Sequence, residues 1–324
     1  MRIAIPSVDW PEALLTPPVG EVVSFGGRSM ATTWSVRLVA EPSLEVGRLR
    51  RDCQSALDRV VAQMSQWEPD SDLSRFNRAG AGEWLPLPPE FAAVMAEALD
   101  VAQLTGGAFD PTVGAASEAW GFGASPATQA PTCDALDTLA SPQGWKRLDF
   151  APDPARLRQP GGIALDLCAI AKGYGVDLLA ETVTAAGASS FLVEVGGELR
   201  AQGLKPDFQP WWVDLEETGG EGLTPLRIAL SGCAVATSGH TRRFHQVDGM
   251  RLGHTIDPAT GAPLRNGALS VTVLAETAMR ADALATALMV MGEAAEDFAR
   301  QHGIAARIVA ETEILTPALA AMLD

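Results

Sequence analysis

Asp282 and Thr286 are the two oxygen-bearing side chains in an otherwise apolar run, ADALATALMVMG. Residues four apart lie on the same face of an α-helix, so a helix through this run brings their oxygens together. A carboxylate and a hydroxyl are the kind of ligand that hard cations such as Mg²⁺ prefer. The same residues also suit an aspartate that caps its own helix and a threonine bonded back to a carbonyl. The spacing alone leaves both interpretations open.

A second candidate site lies in LDLCAIAKGYGVD, where Asp166 ends an apolar run and Lys172 follows at the predicted start of a helix. Gly173 and Gly175 each cost a helix about 1 kcal/mol relative to alanine, which indicates that another group approaches the backbone closely. A helix N-terminus beside a lysine favours an anion such as phosphate. The alternative is a solvated lysine with glycines that serve helix–sheet packing, since the run matches no standard phosphate-loop or dinucleotide fingerprint.

Three of the four histidines lie in SGHTRRFHQVDGMRLGHTIDP, residues 238–258. Asp-Gly at 248–249, between two alternating runs, predicts a β-hairpin with a two-residue turn. The predicted pairs are Val247 with Met250 and His245 with Leu252. This register puts His240 and His254 on opposite faces, which argues against a metal centre built from three histidines. His254 precedes a turn-prone segment and is the candidate proton donor or acceptor, with a purely structural histidine as the alternative.

Composition excludes several classes of protein. Of the 324 residues, 47% are hydrophobic. The chain has 24 basic and 40 acidic side chains, for a formal charge of −16. Such a surface repels phosphate backbones and anionic lipids, so we expect no nucleic-acid partner. No run approaches the roughly 20 apolar residues of a membrane span, and the N-terminus has no apolar leader, which indicates a cytoplasmic protein. The four cysteines are widely spaced without a CxxC pair, which favours reduced thiols.

The elements that must position these residues form one domain. Residues 1–21 contain four prolines and no sustained period, which predicts an N-terminal tail before a domain over 22–324. Apolar periodicity predicts helices at about 46–64, 88–104 and 170–186, and one that ends at Gly292. Strands are predicted near 162–167, 191–195, 210–216 and 225–230. Helices and strands alternate irregularly, which favours an α+β fold with mixed or antiparallel sheets over a doubly wound parallel sheet.

Eight segments, in the same order, resemble the motifs of the ApbE family of flavin transferases. They are SMATTWSV, MSQWEPDSDLSRFN, GGAFDPTVG with WGFG, LDLCAIAKGYGVD, VEVGGELRAQG, ATSGHTRRF, GHTIDPATGAP and ADALATALMVMG. The resemblance implies a single T-fold-related domain and an enzyme that uses Mg²⁺ to cleave the pyrophosphate of FAD. It implies that FMN passes to a Ser or Thr hydroxyl of an acceptor flavoprotein while AMP is released.

The resemblance also assigns residues. It implies an FAD site lined by Met30, Trp67, Ala108, Phe109, Asp110, Asp166, Lys172 and Ile256. It implies a metal held by Asp282, Thr286, the carbonyl of Ala169 and the main chain near Ala285, with His254 as the acid/base group beside the catalytic Asp282. Cys168-Ala169 replaces the family's common Gly-Gly, and His240 replaces an Asp or Asn. An FAD pyrophosphatase would need the same residues, and a non-catalytic FAD-binding protein is the third interpretation.

Overall fold

The computed structural model describes residues 1–6, 18–125, 127, 129–140, 143–215, 223–239, 244–247, 250–265 and 269–324. Its strands are β1 (Arg2–Ala4), β2 (Glu21–Ser29), β3 (Thr32–Ala40), β4 (Trp84–Pro86), β5 (Asp149–Pro152), β6 (Ala155–Arg158), β7 (Phe191–Val195), β8 (Glu198–Gln202), β9 (Trp211–Asp214), β10 (Leu226–Leu230), β11 (Cys233–Gly239), β12 (Phe244–Val247), β13 (Met250–Gly253), β14 (Ile256–Asp257), β15 (Ala262–Pro263), β16 (Ser270–Ala275), β17 (Ala305–Val309) and β18 (Glu313–Leu315). Its helices are α1 (Val46–Met64), α2 (Asp72–Arg78), α3 (Pro89–Leu104), α4 (Gly114–Ala119), α5 (Cys133–Leu139), α6 (Ala171–Ala185), α7 (Ala278–Met291), α8 (Ala295–Gln301) and α9 (Pro317–Ala320).

An antiparallel sheet in the order β18-β17-β16-β11-β8-β7-β3-β2 forms the centre of the described chain. Because side chains alternate along a strand, each strand supplies two cores. In β11, Ala234 and Ala236 face the helices, whereas Val235 packs with Trp211 and Ile228 of a small sheet, β1-β10-β9, on the opposite face. The α+β prediction is therefore confirmed, with helices α1, α6 and α7 on one side of the main sheet.

Most of the predicted elements have the expected bounds. Helices α1, α3 and α6 match the predictions for 46–64, 88–104 and 170–186, and α7 ends with Gly292 at its C-cap. The hairpin β12–β13 has the predicted pairs, Val247 with Met250 and His245 with Leu252. His240 and the turn residues 248–249 lie outside the described residues. No helix among the described residues is long and apolar enough to span a membrane.

The predicted strand near 162–167 is wrong. In this segment Ala164 makes only an isolated bridge with Val113, and Asp166 lies in a loop. The physical reason is that the Asn77 side chain replaces a neighbouring strand: its amide nitrogen donates to Leu165 O at 3.0 Å, and its oxygen accepts from Leu165 N at 2.7 Å. The run is apolar because it is buried, not because it belongs to a sheet.

Part of the predicted N-terminal tail is integrated into the fold. Strand β1 pairs in parallel with β10, and Ala4 is fully buried in the core under the small sheet. Residues 7–17 lie outside the described residues. The domain boundary at residue 22 stays a prediction.

Candidate active site

A cavity of about 840 Å³ lies where α7, the start of α6 and the β7–β8 turn meet. Most of the predicted site residues, from both the FAD set and the metal set, line it. These are Trp67, Ala108, Phe109, Asp110, Asp166, Ala169, Lys172, His254, Ile256, Asp282 and Thr286. Residues that are far apart in the sequence are therefore brought to one space.

Asp282 is buried and does not cap its own helix. Thr277 caps α7, because its side chain accepts a hydrogen bond from Arg280 N at 3.3 Å. The Asp282 carboxylate instead accepts from Gly173 N, in the first turn of α6, at 3.1 Å. Burial raises the pKa of Asp282 to about 7, with Lys172 lowering the pKa and Glu198 raising it. This carboxylate lacks enough positive charge to offset its burial.

The hydroxyl of Thr286 lies one turn further along α7 and also lines the cavity. It shares a hydrogen bond of 2.9 Å with the hydroxyl of Ser238 on β11. Asp282, Thr286 and Ala169 all line this cavity. A carboxylate, a hydroxyl and a main-chain carbonyl are hard oxygen donors of the kind that suit Mg²⁺. Among the described residues, no group of three or more His, Cys, Asp or Glu side chains is arranged to hold a metal, so such a site would need main-chain or substrate oxygens.

Lys172 is not a solvated charge. Its ammonium group forms an ion pair with Glu198, whose side chain is only 3% exposed. The second oxygen of Glu198, Oε2, is buried without a hydrogen-bond partner. A cavity that contains an unsatisfied buried carboxylate oxygen is suited to a ligand that supplies a donor or a cation.

Glu198 was missed by sequence reasoning, although a signal for its position exists. Gly196 and Gly197 have φ of 65° and 110° and form a two-residue turn between Val195 and Glu198, which pair across the β7–β8 hairpin. Such turns need positive φ at both central residues, which is why Gly-Gly is found there. Reading VEVGGELRAQG as a hairpin would have placed Glu198 at the first position of a strand beside the turn.

His254 lines the cavity from the short link between β13 and β14. The segment after it forms a hydrogen-bonded turn. The Asp257 carboxylate accepts from Ala259 N at 2.8 Å, and Trp120 Nε1 donates to Gly261 O at 2.8 Å. His254 is the one histidine that the described structure brings to the cavity.

Four of the predicted FAD-site residues, Trp67, Phe109, Asp110 and Ile256, include one exposed side chain at the cavity rim and three buried ones. Trp67 is 49% exposed, and its Nε1 donates to Gly123 O at 3.1 Å, so the indole ring is held at the cavity rim. Phe109 and Ile256 are buried apolar neighbours of the same space. Asp110 accepts from Thr112 N at 2.9 Å and from the Thr112 hydroxyl at 2.6 Å, and burial raises its pKa.

Two predicted site residues, Met30 and Ala285, do not line the cavity, and two positions that do line it, Asp166 and Cys168, make local hydrogen bonds. Met30 lies in the β2–β3 turn beside α6, where a Cβ at residue 175 would lie 2.9 Å from Met30 Cε. Ala285 is fully buried in the core, and neither residue lines the cavity. Asp166 accepts from Cys168 N at 2.9 Å, and the Cys168 thiol accepts from the Gln66 amide at 3.3 Å. The ligand roles of Met30, Ala285 and Asp166 stay predictions.

The cavity is acidic. Six carboxylates are among its described lining residues: Asp110, Asp166, Glu194, Glu198, Asp214 and Asp282. Lys172 is the one lysine in that lining, and it is already paired with Glu198. An anionic ligand in this space would need additional positive charge.

Comparison with known proteins gives the family. The ApbE family profile matches residues 30–308. The FAD:protein FMN transferase of Vibrio cholerae is 37% identical over 276 residues, covering 84% of this chain and 82% of that protein. The transferase of Haemophilus influenzae is 35% identical, covering 90% and 88%.

Solved structures have the same fold. The apo form of the Pseudomonas stutzeri flavinyl transferase ApbE superposes with a TM-score of 0.86 at 32% identity, covering 93% of this chain and 96% of that one. The flavin transferase ApbE from Vibrio cholerae gives a TM-score of 0.85 at 33% identity, covering 93% and 99%. Matches of this length and identity, over a chain with this cavity, show that the protein belongs to the ApbE family.

Proposed function

We propose that this enzyme transfers FMN from FAD to a Ser or Thr hydroxyl of an acceptor flavoprotein, with Mg²⁺, and releases AMP. One observation carries the proposal: a single cavity holds the buried carboxylate of Asp282, the ammonium group of Lys172 and the imidazole of His254. The relatives that match over most of the chain are named FAD:protein FMN transferases, which supports the same activity here.

The cavity offers separate surroundings for the two chemical parts of FAD. The exposed Trp67 and the buried Phe109 and Ile256 present apolar surface to a flavin ring. Lys172, at the start of α6, presents an ammonium group and a helix N-terminus to the pyrophosphate. Because the acidic lining repels the negative charge of the pyrophosphate, binding of the pyrophosphate requires a cation.

Asp282, Thr286 and the carbonyl of Ala169 are the groups that would hold Mg²⁺ in this cavity. The main chain at Ala285, which lies outside the cavity lining, stays a prediction from the resemblance. Bound there, Mg²⁺ would supply positive charge against the pyrophosphate oxygens while the phosphorus–oxygen bond breaks. The raised pKa of Asp282 fits this role, because a buried carboxylate that lacks a compensating cation is suited to receive one.

His254 accepts the proton of the acceptor hydroxyl as the hydroxyl oxygen attacks the phosphorus of the FMN half of FAD. A new bond forms between that oxygen and phosphorus, and the bond from phosphorus to the bridging oxygen breaks. The bridging oxygen leaves with AMP. Lys172 stabilises the charge that collects on the phosphate oxygens, and the buried walls around Phe109 limit the access of water.

The test is a reaction that contains the protein, FAD, Mg²⁺ and an acceptor domain with a candidate Ser or Thr. Nucleotide chromatography and intact mass of the acceptor are measured together. AMP release with a gain of one FMN on the acceptor supports the transferase. AMP and free FMN, with no acceptor modified across a panel of such domains, would replace it with an FAD pyrophosphatase, and no AMP in any reaction would leave only FAD binding.

His254→Ala should retain FAD binding and lose transfer, since the variant keeps the cavity wall but has no group to accept the proton. We expect a loss of about 100-fold or more in AMP release, with an FAD dissociation constant within about threefold of wild type. The matched control is His302→Ala, which removes an exposed imidazole at the end of α8, outside the cavity. Loss of FAD binding in His254→Ala would make His254 a binding residue instead.

A further inference from the structure

Asp177, in the middle of α6, is a buried carboxylate with both oxygens occupied. Its Oδ1 accepts from Ala278 N at 3.0 Å, and its Oδ2 accepts from Met279 N at 2.8 Å. These are the first two residues of α7, whose N–H groups have no partner inside the helix. Asp177 therefore caps a helix other than its own, and it lies outside the cavity lining.

Arg200 completes this arrangement from the sheet. Its Nη1 donates to Asp177 Oδ1 at 2.6 Å, and the Asp177 side chain is 7% exposed. Partners of this kind offset the loss of water that a buried carboxylate undergoes. Arg200 and Glu198 are two apart on β8, and both reach α6, where Glu198 pairs with Lys172. One strand thus fixes the acidic cap and the cavity lysine together.

The two helices cap each other. Asp177 of α6 holds the start of α7, and Asp282 of α7 accepts from Gly173 N near the start of α6. Their approach is very close, because a Cβ at residue 173 would lie 2.3 Å from Ala278 O. The position of the Asp282 carboxylate, only one turn beyond the capped N–H groups, therefore depends on where Asp177 holds the beginning of α7.

We propose that Asp177, supported by Arg200, is a positioning residue for the metal-binding carboxylate of Asp282. The inference rests on the proposed function in one respect, that Asp282 binds a divalent cation. Removal of Asp177 leaves two N–H groups of α7 without acceptors and lets the helix start shift away from α6. Mutation of outer-shell groups that orient metal ligands typically reduces metal affinity by about 10- to 100-fold, and we expect an effect of that order here.

The test measures Mn²⁺ binding to the nucleotide-free protein by the EPR signal of the free ion, with Mg²⁺ as competitor. Asp177→Ala is compared with Asp177→Asn, which keeps one accepting oxygen. We expect Mn²⁺ affinity to fall about tenfold or more in Asp177→Ala and by less in Asp177→Asn. The melting temperature of each chelator-treated variant is recorded in parallel.

The matched control is Thr316→Val. The Thr316 hydroxyl is fully buried and makes two hydrogen bonds, from Ala306 N and to Ile304 O, both at 2.8 Å, and it lies outside the cavity lining. This variant should lower the melting temperature without changing Mn²⁺ affinity. Unchanged Mn²⁺ affinity in folded Asp177→Ala would overturn the inference alone. Absence of Mn²⁺ binding by the wild-type protein would remove the metal from the proposed function and this inference with it.

Discussion

Asp282 carries a charge that its surroundings disfavour. Burial is the main cause, and the nearby Glu198 adds repulsion that Lys172 only partly offsets. The hydrogen bond from Gly173 N is too little to restore an ordinary acidity. A group in this condition destabilises the folded chain when it is ionised, and a bound cation would relieve that destabilisation.

The metal-free protein should therefore lose stability as pH rises. The pKa of Asp282 is about 7 in the folded chain and close to 3.8 when unfolded, so between these values the folded state holds a proton that the unfolded state has released. The contribution is fully present below about pH 4 and is lost as pH rises through about 7. Urea denaturation in chelator at pH 5 and pH 8 measures it, with Asp282→Asn as the comparison.

Asp282→Asn removes the titrating group but keeps an oxygen that can accept from Gly173 N. The stability difference, variant minus wild type, should be more positive at pH 8 than at pH 5. Addition of Mg²⁺ should stabilise the wild type more at pH 8 than at pH 5, because the proposed metal site needs the ionised carboxylate. An equal difference at both pH values would contradict the assignment of the raised pKa to this residue.

At the scale of elements, the geometry of the site depends on the register between the β7–β8 hairpin and α6. Side chains two apart on a strand face the same way, so Glu198 and Arg200 both point to α6. Lys172 and Asp177, five apart on that helix, are their partners, with charges in the opposite order. The two pairs fix the register of helix against hairpin, and the Gly-Gly turn brings the first pair to the cavity.

Local patterns predicted the elements whose own residues determine them. The period of α1, α6 and α7 and the alternation of β12 and β13 are properties of contiguous sequence. These helices and the strand pairing are confirmed, whereas the Asp-Gly turn between the two strands lies outside the described residues. The strand near 162–167 failed because its partner is the Asn77 side chain, 88 residues away. The same limit hid Glu198, whose importance comes from Lys172, and Asp177, whose hydrogen bonds go to another helix. Tertiary partners of this kind leave no local period to detect.

At the scale of the whole molecule, the formal charge is −16, and the described lining of the cavity is also acidic, with six carboxylates and one lysine. FAD adds the negative charges of its pyrophosphate. A lysine paired with Glu198 offers only part of its charge to a phosphate. Under the proposed function, we therefore expect cation binding to be required for FAD binding as well as for catalysis, and the two binding equilibria should be thermodynamically linked.

FAD affinity should accordingly depend on divalent cations, with an FAD dissociation constant at least about tenfold higher in chelator than in Mg²⁺, or about 1.4 kcal/mol. Glu198→Gln should reduce this dependence, because it leaves the charge of Lys172 available to phosphate, and Lys172→Ala should weaken FAD binding in both conditions. Asp149→Asn, an exposed change of the same charge outside the cavity, separates local from overall charge. Calorimetry or quenching of flavin fluorescence measures each affinity. Equal FAD affinities with and without Mg²⁺ in the wild type would show that the cavity neutralises the pyrophosphate with its own residues. If Asp149→Asn changes the Mg²⁺ dependence as much as Glu198→Gln does, the dependence comes from the net charge of the molecule.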